Sequence, residues 1–591
     1  MAHLILHHAC LRSALHLIKK CPASLLTLAL LQSPLEAASL WWDALPSTAN
    51  GASNAGTGGW FTTGTWDKGS DNGYQTWVDN NDAIINGTST VQINANVIAN
   101  TLSVTGNVNL QALNATPVIP VFTLTNGGSI ANNATMNFGG NATTAGAALD
   151  VRLGGDINTS VTGTRGTLTL SAGSTISSNL TGTTRTIYAN VSLGNGPGSF
   201  LGTFGNVDLP GTIAISGNMG SGGGTTRIFG IASGTTVEVA GNYTSLSAGA
   251  SGTGGLRVQG GGTLKVNGMT TGANPAPNLG NFIVGTGTDA TTLELTCNGV
   301  MTSANSDNTP GIVGTMASNI TIGSANSTFR VNSTFSGSAT AGVQTMSGVI
   351  SGTGKLVQQG AGTLALTNTN TYTGTTTVSG GVLQVGRAGA GSTGTGSVTV
   401  ETGGTILGTG IVRGSSFTAQ SGSIIHAGDG LATTDFGSLR FTPSSGSGSF
   451  NFAAGSSTLL GLNPGGSGDL LSFDGLSGGT LTFNGNLTIT APGYVPTSEE
   501  TFNLLDWANL TTTFASRYAS SSYSDFLLGN GDDNLGFDLP NIAGSGYGWD
   551  ISQFITNGTI STVFIIPEPG RTSLIFGGVF GLWMRRRRPV A

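Results

Sequence analysis

Charged side chains are scarce in this 591-residue sequence: Asp, Glu, Lys and Arg make up 8% of it, against about a quarter in an average globular protein. With 38% apolar residues, so little charge excludes a chain kept unfolded by its own repulsion. The 18 prolines are too few for a proline-rich linker protein. Glycine is in excess, with 97 residues and no three-residue period, which excludes collagen. This composition predicts a large β-protein of short strands and tight turns.

Basic residues are concentrated at the two ends of the chain, where eight of the 21 lie before residue 21 or after residue 570. The body between residues 39 and 569 keeps 13 basic and 26 acidic residues, a net charge of −13. Binding to phosphate groups requires clustered lysines and arginines. The charge pattern therefore excludes nucleic acids and anionic lipids as partners of the body.

The first 39 residues have the pattern of an export signal. Lys19 and Lys20 precede a short apolar run, 23–31, which is followed by small residues. Because the run is too short to span a bilayer as a stable helix, we expect a signal peptide that is cleaved after Ala38 or Ser39. The alternative is a buried N-terminal helix.

Export would leave few reactive side chains, because the predicted signal contains four of the five histidines and two of the three cysteines. Cys297 and His426 are left, and this pair can form neither an internal disulfide nor an ordinary zinc site. His426 lies in a strand-like stretch, 423–427, with no nucleophile motif nearby. This context favours a plain strand histidine over a Ser-His-Asp arrangement, and we expect no catalytic residue and no cofactor.

Three elements follow one another at the C-terminal end: a Pro-Glu-Pro triplet, a mostly apolar stretch and an arginine cluster. They comprise Pro567, Glu568 and Pro569, the stretch from Thr572 to Met584, and Arg585, Arg586, Arg587 and Arg588. The basic cluster predicts that the body lies outside the cytoplasmic membrane. This end resembles the PEP-CTERM sorting signal, which implies processing by an exosortase, transient anchoring in the inner membrane and delivery to the outer surface. A simple tail anchor is the alternative and has the same topology.

Short stretches of alternating apolar and polar residues recur between residues 100 and 490, and many follow a glycine. Since side chains alternate across a strand, the apolar residues of each stretch face one side. Strands this short are stable only when successive turns stack, which favours a parallel β-solenoid with about 20 residues in each coil. An antiparallel sandwich array is the alternative. Comparable apolar positions that recur at short intervals are Leu364, Leu383, Val398, Ile411, Ile425 and Leu439.

One segment, 349–386, reads VISGTGKLVQQGAGTLALTNTNTYTGTTTVSGGVLQVG and resembles the autotransporter-associated β-strand repeat. The matching positions are Gly360, Gly362, Thr363, Leu364, Asn370, Thr371, Tyr372, Gly374, Thr376, Val378, Val382 and Leu383. The sequence departs from the pattern at Gln358 and Gln359, where lysine is usual. The resemblance favours the solenoid and implies secretion and surface display. The fold class we expect is all-β, a right-handed parallel β-helix or solenoid of pectin-lyase-like architecture, with a short C-terminal transmembrane helix.

The chain divides into five predicted parts. They are a signal peptide, 1–39; a Trp-rich N-terminal cap with the first coils, 40–100; the solenoid body, 101–490; a closing β segment, 491–565; and the sorting signal, 566–591. Aromatic residues at both ends of the body are expected to seal strand edges that a solenoid would otherwise expose.

Acidic residues of the predicted solenoid are single and scattered. They are Asp150, Asp156, Asp208, Glu238, Asp289, Glu294, Asp307 and Glu401. Enzymes that cleave glycosidic bonds need paired carboxylates, so this distribution argues against catalysis. One weak calcium candidate exists, in which Gly529, Gly531 and Asp533 have the spacing of a single β-roll unit. A hairpin tip or a solvated acidic loop is the alternative, because such sites take ligands from consecutive turns.

The sequence therefore predicts a secreted, non-catalytic structural protein of the cell surface or extracellular matrix. The alternative is a surface adhesin or carbohydrate-binding protein, in which a sugar-stacking site would lie near Trp60, Trp66 and Trp77. A β-helix polysaccharide lyase or hydrolase is a less favoured alternative. The expected partners are an exosortase-type processing machinery and exopolysaccharide or cell-envelope glycans.

Overall fold

The computed structural model describes residues 38–565, apart from 44–55, 63–64, 68–73, 113–118, 140–147, 160–161, 172, 194–199, 222–226, 246–255, 272–281, 304–312, 336–342, 388, 431–435, 446 and 520–535. The predicted signal peptide up to residue 37, the calcium candidate with Gly529, Gly531 and Asp533, and the sorting signal lie outside the described residues. Within the described ranges no helix is both long and apolar enough to cross a bilayer. The expected transmembrane stretch, 572–584, lies outside those ranges.

Short β-strands make up most of the described chain. The first 28 are β1 (Ser39–Trp42), β2 (Thr57–Gly59), β3 (Trp66–Asp67), β4 (Tyr74–Gln75), β5 (Asp82–Ile85), β6 (Ser89–Ile93), β7 (Val97–Ala99), β8 (Leu102–Val104), β9 (Asn107–Ala112), β10 (Val121–Leu124), β11 (Gly128–Ile130), β12 (Thr135–Phe138), β13 (Asp150–Leu153), β14 (Ile157–Asn158), β15 (Thr167–Leu170), β16 (Thr175–Ser178), β17 (Thr184–Ile187), β18 (Asn190–Leu193), β19 (Phe200–Phe204), β20 (Thr212–Ile215), β21 (Met219–Ser221), β22 (Arg227–Ile231), β23 (Thr236–Ser245), β24 (Leu256–Gln259), β25 (Thr263–Thr271), β26 (Phe282–Val284), β27 (Thr292–Cys297) and β28 (Met301–Ser303).

The remaining strands follow in the same manner. They are β29 (Thr315–Met316), β30 (Ile320–Ile322), β31 (Thr328–Ser333), β32 (Val343–Met346), β33 (Ile350–Gly352), β34 (Lys355–Gln358), β35 (Thr363–Leu366), β36 (Thr376–Val378), β37 (Gly381–Val385), β38 (Val398–Val400), β39 (Gly404–Gly408), β40 (Ile411–Val412), β41 (Ser416–Ala419), β42 (Ile424–Ala427), β43 (Ser438–Phe441), β44 (Ser449–Phe452), β45 (Ser457–Asn463), β46 (Ser467–Gly468), β47 (Leu470–Phe483), β48 (Asn486–Thr490), β49 (Thr501–Asn503), β50 (Leu505–Phe514), β51 (Phe537–Asp538), β52 (Tyr547–Asp550) and β53 (Thr559–Phe564). One helix, α1 (Phe554–Asn557), and a 3-10 turn at Ser516–Tyr518 complete the described elements.

The strands of successive coils stack into three faces, and the strands within each face are parallel. Face 1 comprises β7, β10, β13, β16, β19, β22, β24, β26, β30 and β33. Face 2 is a continuous ladder of seventeen strands: β5, β8, β11, β14, β17, β20, β23, β25, β27, β31, β34, β36, β38, β41, β44, β47 and β50. Face 3 runs through β6, β9, β12, β15, β18, β21, β23, β25 and β28, and then through β29, β32, β35, β37, β39, β42, β45, β48 and β51. At about 4.8 Å per rung, face 2 is about 80 Å long.

This arrangement confirms the parallel solenoid and excludes the antiparallel sandwich array. Burial alternates along the strands, so that inward side chains form one continuous apolar core along the stack. Leu110, Phe138, Leu170 and Leu193, for example, lie one above the other on face 3. Because each coil buries its apolar side chains against its neighbours, cohesion is distributed along the length.

The apolar positions that recur in the sequence at short intervals lie on more than one face. Leu364, Leu383 and Ile425 do share a column of face 3, but the member between the last two is Ile406. Val398 belongs to face 2 instead.

The expected coil length holds in the repeat region but not along the whole stack. Hydrogen-bonded partners on neighbouring coils are 20 to 22 positions apart around Asn370. The corresponding separation is 38 positions between Asp289 and Ser327. Coil length therefore varies along the stack, because loops differ in length while the strands stay paired. The first coil is as short as those of the repeat region, since Ala83 pairs with Leu102, 19 positions away.

Face 3 is joined across its two parts by a side chain. Gln344 of β32 accepts a hydrogen bond from the backbone nitrogen of Met301 (2.7 Å) and donates one to the Met301 carbonyl (3.1 Å). A buried backbone N–H group and a buried backbone carbonyl each need a hydrogen-bond partner. The Gln344 carboxamide therefore takes the place of a paired strand beside β28.

Aromatic side chains lie over both ends of the stack. At the N-terminal end, β1 pairs in parallel with β5 and antiparallel with β3 and carries Trp42 into a cluster of tryptophans. At the C-terminal end, β49, β52 and β53 form a small antiparallel sheet, and Phe554 of α1 packs on Phe537 and Tyr518. Such elements shield terminal rungs, whose outer edges would otherwise lack a partner.

Candidate functional site

Glycines stack in a column at the corner between faces 1 and 2 within the predicted repeat. A Cβ on Gly374 would lie less than 3.0 Å from the carbonyl oxygen of Gly354, and one on Gly396 would meet the Gly374 carbonyl in the same way. Gly414 repeats the contact with Gly396. The glycine of the motif is thus required for space, since backbones of consecutive coils touch at this corner.

Asn370 ties three coils together on face 1. Its Oδ1 accepts a hydrogen bond from the backbone nitrogen of Ile350 (2.7 Å), and its Nδ2 donates to the carbonyl of Ser392 (2.6 Å). The side chain is fully buried. The described stretch around Asn370, 367–375, contains no regular strand, and the carboxamide adds to the backbone hydrogen bonds that Thr371 and Thr373 donate to the preceding coil.

Tyr372 fills the interior next to the glycine column. Its ring is buried, and its hydroxyl lies 2.7 Å from the Thr376 Oγ1. A Cβ on Gly394 would come within 3.0 Å of the ring. Burial disfavours the charged phenolate and raises the pKa of Tyr372 to about 12, although hydrogen bonds from Gly394 and Thr376 oppose this shift.

Replacing the Tyr372 hydroxyl is expected to change how the protein responds to alkali. The phenol pKa rises from 10.0 to about 12 on folding, so the neutral hydroxyl contributes stability that is complete below pH 10 and is lost as the pH rises to about 12. The thermal midpoint of the wild type should therefore fall more steeply between pH 10 and 12 than that of Tyr372→Phe. The control is Tyr188→Phe, whose ring is only partly buried. Parallel curves for wild type and Tyr372→Phe would contradict the assignment.

Gln358, at the departure from the repeat pattern, is buried on β34. Its Nε2 donates to the carbonyl oxygens of Gly360 and Gly362, each at 2.9 Å. Gln358 thus satisfies two carbonyls in the turn that leads to β35.

His426 lies on β42 with 4% of its surface exposed. Its Nε2 is 3.6 Å from Oδ2 of Asp469, a residue that sequence reasoning missed because it belongs to a later coil. The Asp469 carboxylate accepts hydrogen bonds from the backbone nitrogens of Gly437 (2.8 Å) and Gly461 (2.7 Å). The pair is buried and connects neighbouring coils, which is a structural arrangement rather than one open to a substrate.

Several of the scattered acids of the solenoid serve as local partners in the described part of the chain. Ion pairs join Arg152 to Asp150 (2.9 Å), Lys265 to Glu238 (3.0 Å) and Arg330 to Glu294 (3.0 Å). Glu238, Lys265, Glu294 and Arg330 occupy successive rungs of face 2, so charge alternates along the stack. Within the described ranges, no three His, Cys, Asp or Glu side chains are placed to hold a metal ion.

The suggestion that sugars stack near Trp60, Trp66 and Trp77 is wrong. These side chains are 0%, 0% and 5% exposed, and their ring centroids lie 4.7 to 4.9 Å apart. Trp66 also donates from Nε1 to the Trp60 carbonyl at 2.8 Å. The rings pack on each other to cover the first coils, so none presents a face to a ligand.

The outward side chains form polar columns. On face 3, Thr90, Asn109, Asn137 and Thr169 lie on consecutive rungs, and Asn137 donates from Nδ2 to the Asn109 Oδ1 at 2.6 Å. On face 2 the C-terminal coils carry a second column, comprising Thr377, Thr399, Thr418, Asn451, Thr482 and Thr513. These surfaces offer hydrogen bonds to a partner but no reactive group.

Among the clefts on the described part of the surface, two are large enough to hold a small ligand. One, of about 620 Å³, is on face 1 beside Asp150, and the apolar Ile119 and Val207 line it. The Asp150 carboxylate is already engaged by Arg152 and Thr175. The other cleft, of about 380 Å³, lies at the corner between faces 2 and 3 and contains Arg165. Both volumes fall in the range of small-ligand sites.

Comparison with known proteins identifies the repeat. Residues 356–385 match the family model described as Passenger-associated-transport-repeat. Over 88 residues, 15% of this chain, the sequence is 42% identical to the Adhesin BmaC autotransporter of Brucella suis biovar 1 (strain 1330). The matched part spans only 2% of the length of that relative. No solved structure matches the chain.

Proposed function

We propose that this protein is an exported, non-catalytic surface protein whose solenoid acts as an adhesive rod. The observation that carries the proposal is the continuous ladder of face 2 with a passenger-associated transport repeat inside it. The similarity to an adhesin over 88 residues favours attachment over a purely structural role. The polar outward columns supply a long surface for weak, repeated contacts, which gain strength by multivalency.

The finer parts of the proposal rest on the sequence. Parallel crossovers are right-handed in nearly all proteins, which supports a right-handed coil of pectin-lyase-like architecture. The predicted signal peptide of 1–39 supports export. Pro567, Glu568, Pro569 and the cluster beginning at Arg585 support sorting by an exosortase after transient anchoring in the inner membrane.

Attachment and processing can be tested in one experiment. The full chain is expressed in a Gram-negative host with an active exosortase. We expect the cells to display the protein and to adhere more strongly to glycan-coated surfaces, and we expect mass spectrometry to show that the mature protein has lost both ends. Replacing Pro567, Glu568 and Pro569 by alanines should leave the C-terminal end uncut. Display without increased adherence would favour an inert structural rod and contradict the adhesive function. An uncut C-terminal end in the wild type would contradict the sorting proposal.

A further inference from the structure

The corner cleft is built from three consecutive coils. Its polar lining comprises Thr164 and Arg165 before β15, Asn190 at the start of β18, and Ser216 and Asn218 between β20 and β21. These residues are far apart in the sequence, and parallel stacking of the coils brings them together. None of the residues that line the cleft is acidic.

Arg165 supplies positive charge to this cleft. One guanidinium nitrogen donates to the carbonyl oxygen of Tyr188 at 3.0 Å and lies 3.5 Å from the Ser216 Oγ. Arg165 forms no ion pair with any residue in the described part of the chain. A guanidinium has five N–H donors in a planar fork, so most of them are available to a ligand.

The two asparagines add neutral donors to the same lining. The Asn190 Oδ1 accepts a hydrogen bond from the backbone nitrogen of Asn218 at 3.0 Å, and the Asn218 Oδ1 accepts one from Asn242 at 3.1 Å. Each carboxamide is thus held by its oxygen to the next coil. Its Nδ2 donors have no partner among the described residues and are free to bind in the cleft.

This set of groups selects an anionic, hydroxylated ligand. A carboxylate matches the guanidinium fork in charge and geometry, and sugar hydroxyls suit the carboxamide, threonine and serine groups. We propose that the cleft binds a uronic-acid residue of an acidic polysaccharide, with Arg165 on the carboxylate and Asn190 and Asn218 on neighbouring oxygens. This inference names a ligand class for the adhesive rod and rests on that proposed function.

Calorimetric titration of the purified full chain with oligogalacturonate tests the cleft, with a malto-oligosaccharide of equal length as the neutral probe. We expect saturable binding of the acidic probe alone. Arg165→Gln should weaken it at least about tenfold, because a charge-assisted pair is lost. Arg413→Gln removes an equal charge from an exposed guanidinium that bonds to Ser444, far along the stack, and should bind as the wild type does.

A second variant keeps the test decisive if Arg165→Gln fails to fold, as judged by circular dichroism. Asn218→Asp preserves the oxygen that accepts from Asn242, and it places a negative charge in the cleft. It should also weaken binding at least about tenfold. Wild-type affinity in a folded Arg165→Gln or Asn218→Asp variant, or equal binding of both probes, would overturn the proposal.

The outcomes separate this inference from the proposed function. If oligogalacturonate binds at the cleft but cells displaying the protein do not adhere, the adhesive function fails and the cleft stands. If cells adhere and Arg165→Gln cells adhere equally to surfaces coated with polygalacturonate, the cleft assignment fails and the adhesive function stands.

Discussion

Gly374→Ala is expected to lower the free energy of unfolding of the repeat region by about 3 kcal/mol, at the upper end of the range for overpacking. The added Cβ would come within 3.0 Å of the Gly354 carbonyl oxygen, and its three nearest neighbours are all backbone atoms, which cannot move aside as a flexible side chain could. Since Gly396 and Gly414 continue the same column, a shift at one rung propagates to the next. Hydrogen exchange should report faster opening within 350–419, and the thermal midpoint should fall.

The matched control is Gly220→Ala on β21. Gly220 also lies in an extended segment, but its nearest neighbour beyond the adjacent residues is the Thr244 carbonyl, 3.8 Å from the position that a Cβ would take. We expect its effect to be close to zero. An equal loss of stability in the two variants would mean that alanine acts through strand propensity or through the unfolded chain. The proposed clash of the Gly374 Cβ with the neighbouring coil would then be wrong.

Trp66→Ala is expected to destabilise the N-terminal end by about 4 kcal/mol, as large aromatic truncations in a packed core do. The Trp66 ring lies 4.7 Å from both Trp60 and Trp77 and 5.4 Å from Trp42, so its loss opens the centre of the cluster. Removing it also releases the carbonyl of Trp60 from its hydrogen bond. Near-ultraviolet circular dichroism and tryptophan fluorescence should report an early transition that the wild type lacks.

The same variant should promote self-association. Opening the cluster exposes the rung below β1, and an unpaired strand edge pairs readily with another chain. Analytical ultracentrifugation should show oligomers of Trp66→Ala at concentrations where the control Trp507→Ala remains as the wild type. Trp507 is only partly buried on β50. A monomeric Trp66→Ala variant with the wild-type melting curve would contradict a sealing role for the cluster.

Much of the fold could be predicted from sequence because the solenoid is encoded locally. Period-two alternation and glycine turns identify the strands, and the repeat motif indicates that they stack in parallel. The assignment of strands to faces could not be predicted in this way. Val398 and Leu383 are both apolar strand residues, yet they belong to faces 2 and 3, because the face 1 segment around Ser392 lies between them.

The candidate sites were harder to predict, since they depend on which coils become neighbours. Asn370 and Gly374 are visible as motif letters, but their role appears only when Ile350, Ser392 and the Gly354 carbonyl are placed around them. The corner cleft carries no sequence signal at all. Its arginine and asparagines are ordinary polar residues until variable loop lengths bring three coils into register.

The variation in coil length has a mechanical consequence. Hydrogen bonds between rungs run along the long axis of the stack, so a pull on the two ends loads them in sequence and detaches coils one at a time. A short coil of the repeat region releases about 70 Å of extended chain, and the long coil between Asp289 and Ser327 about 130 Å. Under tension the protein would therefore lengthen in unequal steps. Each step would lower the force on a cell that is attached through the protein.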